Sequence, residues 1–127
     1  MSEMLKNILV IDDEDRVREL LLEYLSEFDE FAVQGAGSGE EALEHLRALP
    51  VDLCVVDLRL PGMDGAHFIE EAAAAGLCQR FIVHTGFVDF TLPRVLSDLG
   101  LAQEDVFYKP VNAEDVVARI RESLKMV

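Results

Sequence analysis

Short apolar runs alternate along the chain with longer stretches in which apolar residues recur every three or four positions. The short, β-branched runs predict buried strands, and the three-to-four spacing predicts amphipathic helices. Asn7–Ile11 reads as a strand. Glu14–Glu27 reads as a helix, with Val17, Leu20, Leu21, Tyr24, Leu25 and Phe28 along one stripe. Phe31–Gln34 is a weaker strand. Ser38 opens the next helix, with Glu41 placed to complete a capping box and Ala42, Leu43, Leu46 and Leu49 as its apolar face. Asp52–Val56 is a strand, "RLPGMDG" is a loop, and Asp64 caps a helix to about Ala75. Arg80–His84 is a strand. Phe90–Leu99 is a helix that tolerates Pro93 near its start. Val106–Tyr108 is the last strand, and Asn112 caps a final helix through about Lys125.

This is a β-then-α alternation repeated five times. The crossovers are too long for hairpins, so the strands should run parallel, with helices on both faces. In open α/β sheets of this kind, ligands bind outside the carboxyl ends of the strands, where strand order reverses.

That edge collects unusual chemistry. The first strand, "NILVI", stops at Asp12, Asp13, Glu14 and Asp15. Two carboxylates about 4 Å apart repel by on the order of 4 kcal/mol at an effective dielectric near 20. The third strand ends in Asp57, the fourth in Thr85, and the fifth in Lys109 followed by Pro110. Three convergent carboxylates with one lysine leave a surplus of negative charge, which a hard divalent cation such as Mg²⁺ relieves while keeping positions for phosphate oxygens. A carboxylate there can attack phosphorus and form an acyl phosphate. The cation and the lysine would offset the charge on the transferring group, and a threonine hydroxyl can hydrogen-bond a phosphate oxygen. Each residue alone has a plainer reading: helix capping for the early acids, a turn for Asp57, structural roles for Thr85 and Lys109. Their convergence on one sheet edge favours the chemical reading.

Composition narrows the class. The 127 residues suit one domain, half of them are hydrophobic, and the formal net charge is −14. No basic stripe exists for direct DNA or RNA binding, so partners should be basic surfaces or metal cations. No apolar run is long enough to span a membrane, and "MSEMLKN" lacks a signal-peptide layout. Cys54 and Cys78 fit no metal or redox spacing and read as reduced thiols of a cytoplasmic protein. His45, His67 and His84 share no metal spacing and read as surface or packing residues; His84, next to Thr85, can tune the site's edge. "GAGSGEE" carries Gly35, Gly37 and Gly39, but Glu40 stands where a dinucleotide fingerprint needs glycine, and Glu40 and Glu41 would repel a pyrophosphate. Glycines for a turn and a cap explain that stretch.

The motifs "LVIDDED", "VVDLRLPGMDG", "VHTG" and "YKP" together resemble a response-regulator receiver domain, over nearly the whole chain. The resemblance implies a flavodoxin-like doubly wound five-stranded parallel sheet with strand order 2-1-3-4-5. It implies residues 1–127 as a single receiver, with no output domain visible. Asp57 would accept a phosphoryl group from a sensor histidine kinase or phosphotransfer protein. Asp13 and Asp57 would ligate Mg²⁺ (or Mn²⁺ in its place), with the Arg59 backbone carbonyl as a third ligand and Asp12 acting through water. Lys109 would pair with Asp57 and then with the phosphoryl group, across a cis Lys109–Pro110 bond. Thr85 would carry the signal to the face made by the fourth helix, fifth strand and fifth helix, which serves an unknown downstream protein or a homodimer. Such a module is not an enzyme, although it assists its own phosphorylation and dephosphorylation. Val106 departs from the pattern, because an aromatic switch residue is usual there. Tyr108 shares its strand parity, and Phe87 and Phe90 are the alternatives. Arg59 and Phe87 stand where the family varies and tunes phosphate lifetime.

Three rivals fit less well. A haloacid-dehalogenase-like aspartyl-phosphate phosphohydrolase needs a second acid where Arg59 stands. An FMN-binding flavodoxin needs a hydroxyl- and glycine-rich loop where the acids stand. A receiver-like docking module that is never phosphorylated would not need the intact acids, Thr85 and Lys109.

Overall fold

The computed structural model describes residues 5–86 and 91–125. In chain order the elements are β1 (Lys6–Ile11), α1 (Asp15–Ser26), β2 (Phe31–Ala36), α2 (Gly39–Ala48), β3 (Leu53–Val56), α3 (Gly65–Ala74), β4 (Phe81–Thr85), α4 (Arg94–Asp98), a 3₁₀ turn at Gln103–Asp105, β5 (Val106–Tyr108) and α5 (Ala113–Ser123). The five strands form one parallel sheet in the order β2-β1-β3-β4-β5. Strand order therefore reverses between β1 and β3.

Alternation along the strands sorts the core into two layers. Ile8, Val10, Val55 and Ile82 pack against α1 and α5, with Leu21, Leu25, Val116 and Ile120. Leu9, Ile11, Val56 and Val83 point the other way, against Leu43 and Leu46 of α2, Phe68 and Ile69 of α3, and Leu96 of α4. Burial on both faces explains why the central strands are continuous apolar runs rather than alternating ones.

The expected caps form. The Ser38 hydroxyl accepts from the Glu41 N–H at 3.1 Å, Asp64 accepts from the His67 N–H at 2.8 Å, and Asn112 accepts from the Glu114 N–H at 2.9 Å. The return half of the capping box shifts by one residue, because the Glu41 carboxylate accepts from the Gly37 N–H at 2.8 Å.

Several expectations need correction. Of the helix read over Phe90–Leu99, Phe90 lies outside the described residues, and among those described the helix is Arg94–Asp98, with Pro93 extended at its N-cap (φ −61°, ψ 145°). Proline disfavours helical backbone in the residue before it, so the helix starts after Pro93 rather than running back through Leu92. The strand read over Phe31–Gln34 continues to Ala36, so Gly35 belongs to β2 rather than to a turn. Leu20 and Leu49, read as stripe residues, are 55% and 52% exposed. The 3₁₀ turn before β5 was not legible. Its buried Asp105 accepts from the Ala102 N–H at 2.9 Å and pairs with Arg119 at 2.7 Å. Cys54 and Cys78 are buried free thiols, and burial pushes Cys54 well above the usual thiol range. Among the described residues no helix is long and apolar enough to cross a membrane.

Candidate functional site

Register makes the site. Ile11 stands opposite Val56, so the residues that follow, Asp12 and Asp57, emerge side by side from the two central strands. The ladder continues one step beyond them: the Asp57 N–H donates to the Ile11 carbonyl at 2.9 Å and the Asp12 N–H to the Ala36 carbonyl at 3.1 Å. Both carboxylates are buried, at 1% and 3% exposure, while Asp13 faces solvent. One oxygen from each of Asp12, Asp13 and Asp57 lies within 4.8 Å of the other two.

Lys109 reaches this cluster from the end of β5, which is held in line by its N–H bond to the Thr85 carbonyl at 2.8 Å. Its Nζ lies 2.8 Å from Glu14 Oε1, 2.9 Å from Asp12 Oδ2 and 3.0 Å from Asp57 Oδ2. The Glu14 and Asp57 contacts are hydrogen bonds. The Asp12 contact is an ion pair without hydrogen-bond geometry, so Asp12 Oδ2 is a buried oxygen that accepts no hydrogen bond from the protein. The other oxygen, Oδ1, accepts from the Glu14 N–H at 2.9 Å. Three carboxylates, those of Asp12, Glu14 and Asp57, thus converge on the Lys109 ammonium, with an Asp13 oxygen beside those of Asp12 and Asp57.

The electrostatics follow from this crowding. Burial raises the Asp57 pKa, and the Asp12 charge adds to the rise, against the opposing Arg59 N–H and Lys109. Burial alone would lower the Lys109 pKa, but the carboxylates of Glu14, Asp12 and Asp57 raise it overall, so the ammonium is firmly charged. The hydrogen bond from Lys109 lowers the Glu14 pKa. Burial, then the Lys109 charge, pushes His84 down to about 4, so it is a neutral imidazole at neutral pH.

These donors suit a hard cation. All are oxygens, they carry a surplus of negative charge, and the unsatisfied Asp12 Oδ2 is the buried acceptor that such a cation or its water would complete. The loop after β3 is drawn tightly under the site. The Arg59 N–H donates to Asp57 Oδ1 at 3.0 Å and the Gly65 N–H to the Leu58 carbonyl at 3.1 Å. A Cβ at Gly65 would collide with the Asp57 carbonyl, so only glycine allows α3 to start so close to the acid.

The sequence profile described as "Response regulator receiver domain" matches residues 8–121. The chain belongs to that family. It is 34% identical over 122 residues to the Response regulator GtcR of Aneurinibacillus migulanus, covering 96% of this chain and 49% of that protein. It is also 34% identical to the alkaline phosphatase synthesis transcriptional regulatory protein PhoP of Bacillus subtilis, with 96% and 50% covered. The chain therefore spans about half the length of these curated relatives. A response regulator receiver protein from Pseudomonas putida, of known crystal structure, superposes with a TM-score of 0.79 at 27% identity, over 95% of this chain and 99% of that one. Receivers are signalling modules of two-component systems rather than enzymes of the ordinary kind.

In this receiver the residues read from sequence fall in two groups. Asp12, Asp13, Asp57 and Lys109 come together as described. Arg59 lies on the rim through its backbone N–H, and Thr85 is fully buried at the end of β4. The Lys109–Pro110 bond is cis, as the resemblance implied. Val106 is buried opposite Val83, while Tyr108 pairs in register with Thr85 and points to the same side of the sheet. Phe87 and Phe90 lie outside the described residues. His45 and His67 sit beside Glu41 and Glu71 on helix surfaces, and His84 is buried. Glu14 was missed as a partner of Lys109. Its signal was present in the run of four acids, but a lysine 95 residues away gives no local hint.

Proposed function

We propose that this receiver takes a phosphoryl group onto Asp57 from the phosphohistidine of a sensor kinase or phosphotransfer protein. The observation that carries this is the buried Asp57 carboxylate held 3.0 Å from the Lys109 ammonium inside an acidic surplus. Asp57 Oδ2 would attack phosphorus as the donor's P–N bond breaks. The electron pair stays on the imidazole nitrogen, which takes up a proton, and an acyl phosphate forms on Asp57. Lys109, already bonded to the attacking oxygen, would follow the phosphoryl group and offset its charge. Asp13, Asp57 and the Arg59 carbonyl would hold Mg²⁺, or Mn²⁺, with Asp12 acting through water. When bound, the cation supplies neutralisation of the phosphoryl oxygens. Thr85 would hydrogen-bond the phosphoryl group and pass the change to α4, β5 and α5, the face offered to a downstream protein or a second copy.

An apolar cleft of about 410 Å³ opens next to Lys109, between Val17, Leu20 and Leu21 of α1 and Pro110 and Val111. With Leu20 exposed on its wall, the cleft supports docking of an amphipathic helix of the phosphodonor protein beside Asp57. The charge of −14 argues against direct nucleic-acid contact by this chain, and the two-component family supports a cytoplasmic setting.

Intact mass after incubation with acetyl phosphate and Mg²⁺ tests the reading. The expected result is one phosphoryl increment on the unsubstituted chain and none on Asp57→Asn. A full increment on Asp57→Asn would refute the assignment.

A further inference from the structure

The loop that follows Asp57 is fastened at a point remote from the acids. The Glu40 carboxylate, in the first turn of α2, accepts from the Met63 N–H at 3.1 Å across 23 positions of sequence. Gly62, at φ +72°, passes so close that a Cβ there would come within 2.7 Å of Glu40 Oε2. The Met63 side chain lies over Gly39, with its Sδ 3.2 Å from where a Cβ would stand. A side-chain carboxylate, a left-handed glycine and a packed methionine therefore lock the later part of the Leu58–Asp64 loop to the start of α2. The two ends of that loop are tied separately, by Arg59 to Asp57 and by Gly65 to Leu58.

The geometry points to Glu40 as a positioning residue for the metal-binding loop. This rests on the reading of Asp57 and the Arg59 carbonyl as cation ligands. Glu40 touches neither the phosphoryl site nor the cation. It acts by holding the loop in the conformation in which the Arg59 N–H bonds Asp57 and the Arg59 carbonyl would be offered to a cation, so the entropy of ordering that loop is not lost at the moment the cation binds. The neighbouring Glu41 carries the same charge in the same turn but bonds to the Gly37 N–H instead, so it separates positioning from long-range charge.

The test is Mg²⁺ affinity by calorimetry on the metal-free full chain, with melting in EDTA recorded alongside. Glu40→Ala should weaken Mg²⁺ binding by about three- to tenfold, the size of one ordinary hydrogen bond. Glu40→Gln, which keeps an acceptor for the Met63 N–H, and Glu41→Ala should each stay within about twofold of the unsubstituted chain. Melting in EDTA should shift no more for Glu40→Ala than for Glu41→Ala. Equal affinity in Glu40→Ala and the unsubstituted chain would overturn the assignment, as would equal losses in all three variants. Absence of Mg²⁺ binding by the unsubstituted chain would overturn both this inference and the metal-site reading beneath it.

Discussion

The carboxyl edge of the sheet is built in two different ways. At β1 and β3 it is a polar knot: buried acids in fixed register, a lysine reaching three carboxylates, and a loop tied at several points. At β4 and beyond, the helix is five residues long, Leu96 is its buried residue, and Val95 and Leu99 are 39% and 40% exposed. The first region holds charges that repel unless each is in place, so its geometry is over-determined. In the second, Leu96 anchors α4 beside Leu92 and Leu101 in the same core, and a five-residue helix adds little stability of its own. The acids sit in the first region, while Lys109 reaches them from the end of β5, beside Thr85 at the end of β4.

The largest effects that separate the regions are core truncations. Leu9 and Leu96 are both fully buried. Leu9→Ala, in a central strand, should cost about 4 kcal/mol in urea denaturation, and Leu96→Ala about 2, because a short helix can close over the cavity. Equal costs would break the contrast.

His84 sharpens the electrostatic side. Its pKa is depressed to about 4 in the fold against 6.5 in the unfolded chain, so the unfolded state binds the proton first. Its contribution is present above pH 6.5 and is lost as pH falls toward 4. Between those values the unsubstituted chain should lose on the order of 3 kcal/mol more than His84→Leu. Parallel stability curves for the two would contradict the burial argument.

Mg²⁺ comes next. At 100 times its dissociation constant it should add about 2.7 kcal/mol to unfolding stability, and Asp13→Asn should lose most of that gain. Asp57, with its raised pKa, favours the metal-free fold at low pH, below its unfolded value, and that contribution fades as pH rises through the folded value. The Mg²⁺ gain should run the other way and decline on acidification, as Asp57 protonates at a higher pH than an ordinary carboxylate. Thermal melts that match with Mg²⁺ and with EDTA at neutral pH would count against the site.

The smallest effect concerns the switch. Val106 buries less surface than an aromatic ring, so its placement can bias two states only weakly. A beryllofluoride phosphate mimic should still change hydrogen exchange between β4 and α4 in Val106→Ala. Loss of that change would assign Val106 a role its size does not suggest.

The parallel β-then-α alternation, the caps and the strand-end residues were legible because each depends on local pattern or on position within a β-then-α unit, whereas the strand order followed only from the family resemblance. Asp12, Asp57 and Lys109 could be assigned to one edge from topology alone. The limits were physical. Pro93 was read as tolerated within the first turn, whereas extended backbone at Pro93 delays the helix to Arg94. Leu20 fits a helical stripe yet borders a cleft, because nothing in a stripe says which of its edges the sheet covers. Glu14 and Glu40 find partners 95 and 23 positions away, and such pairings appear only once the loops are placed in space.

The central claim is that Asp57 is the acceptor, and trapping the acyl phosphate tests it most directly. Borohydride reduces an aspartyl phosphate to homoserine. After incubation with acetyl phosphate and Mg²⁺, reduction and peptide mapping should find homoserine at position 57, and none when EDTA replaces Mg²⁺. Homoserine at position 12 or 13 instead, or at 57 in excess EDTA, would contradict the account.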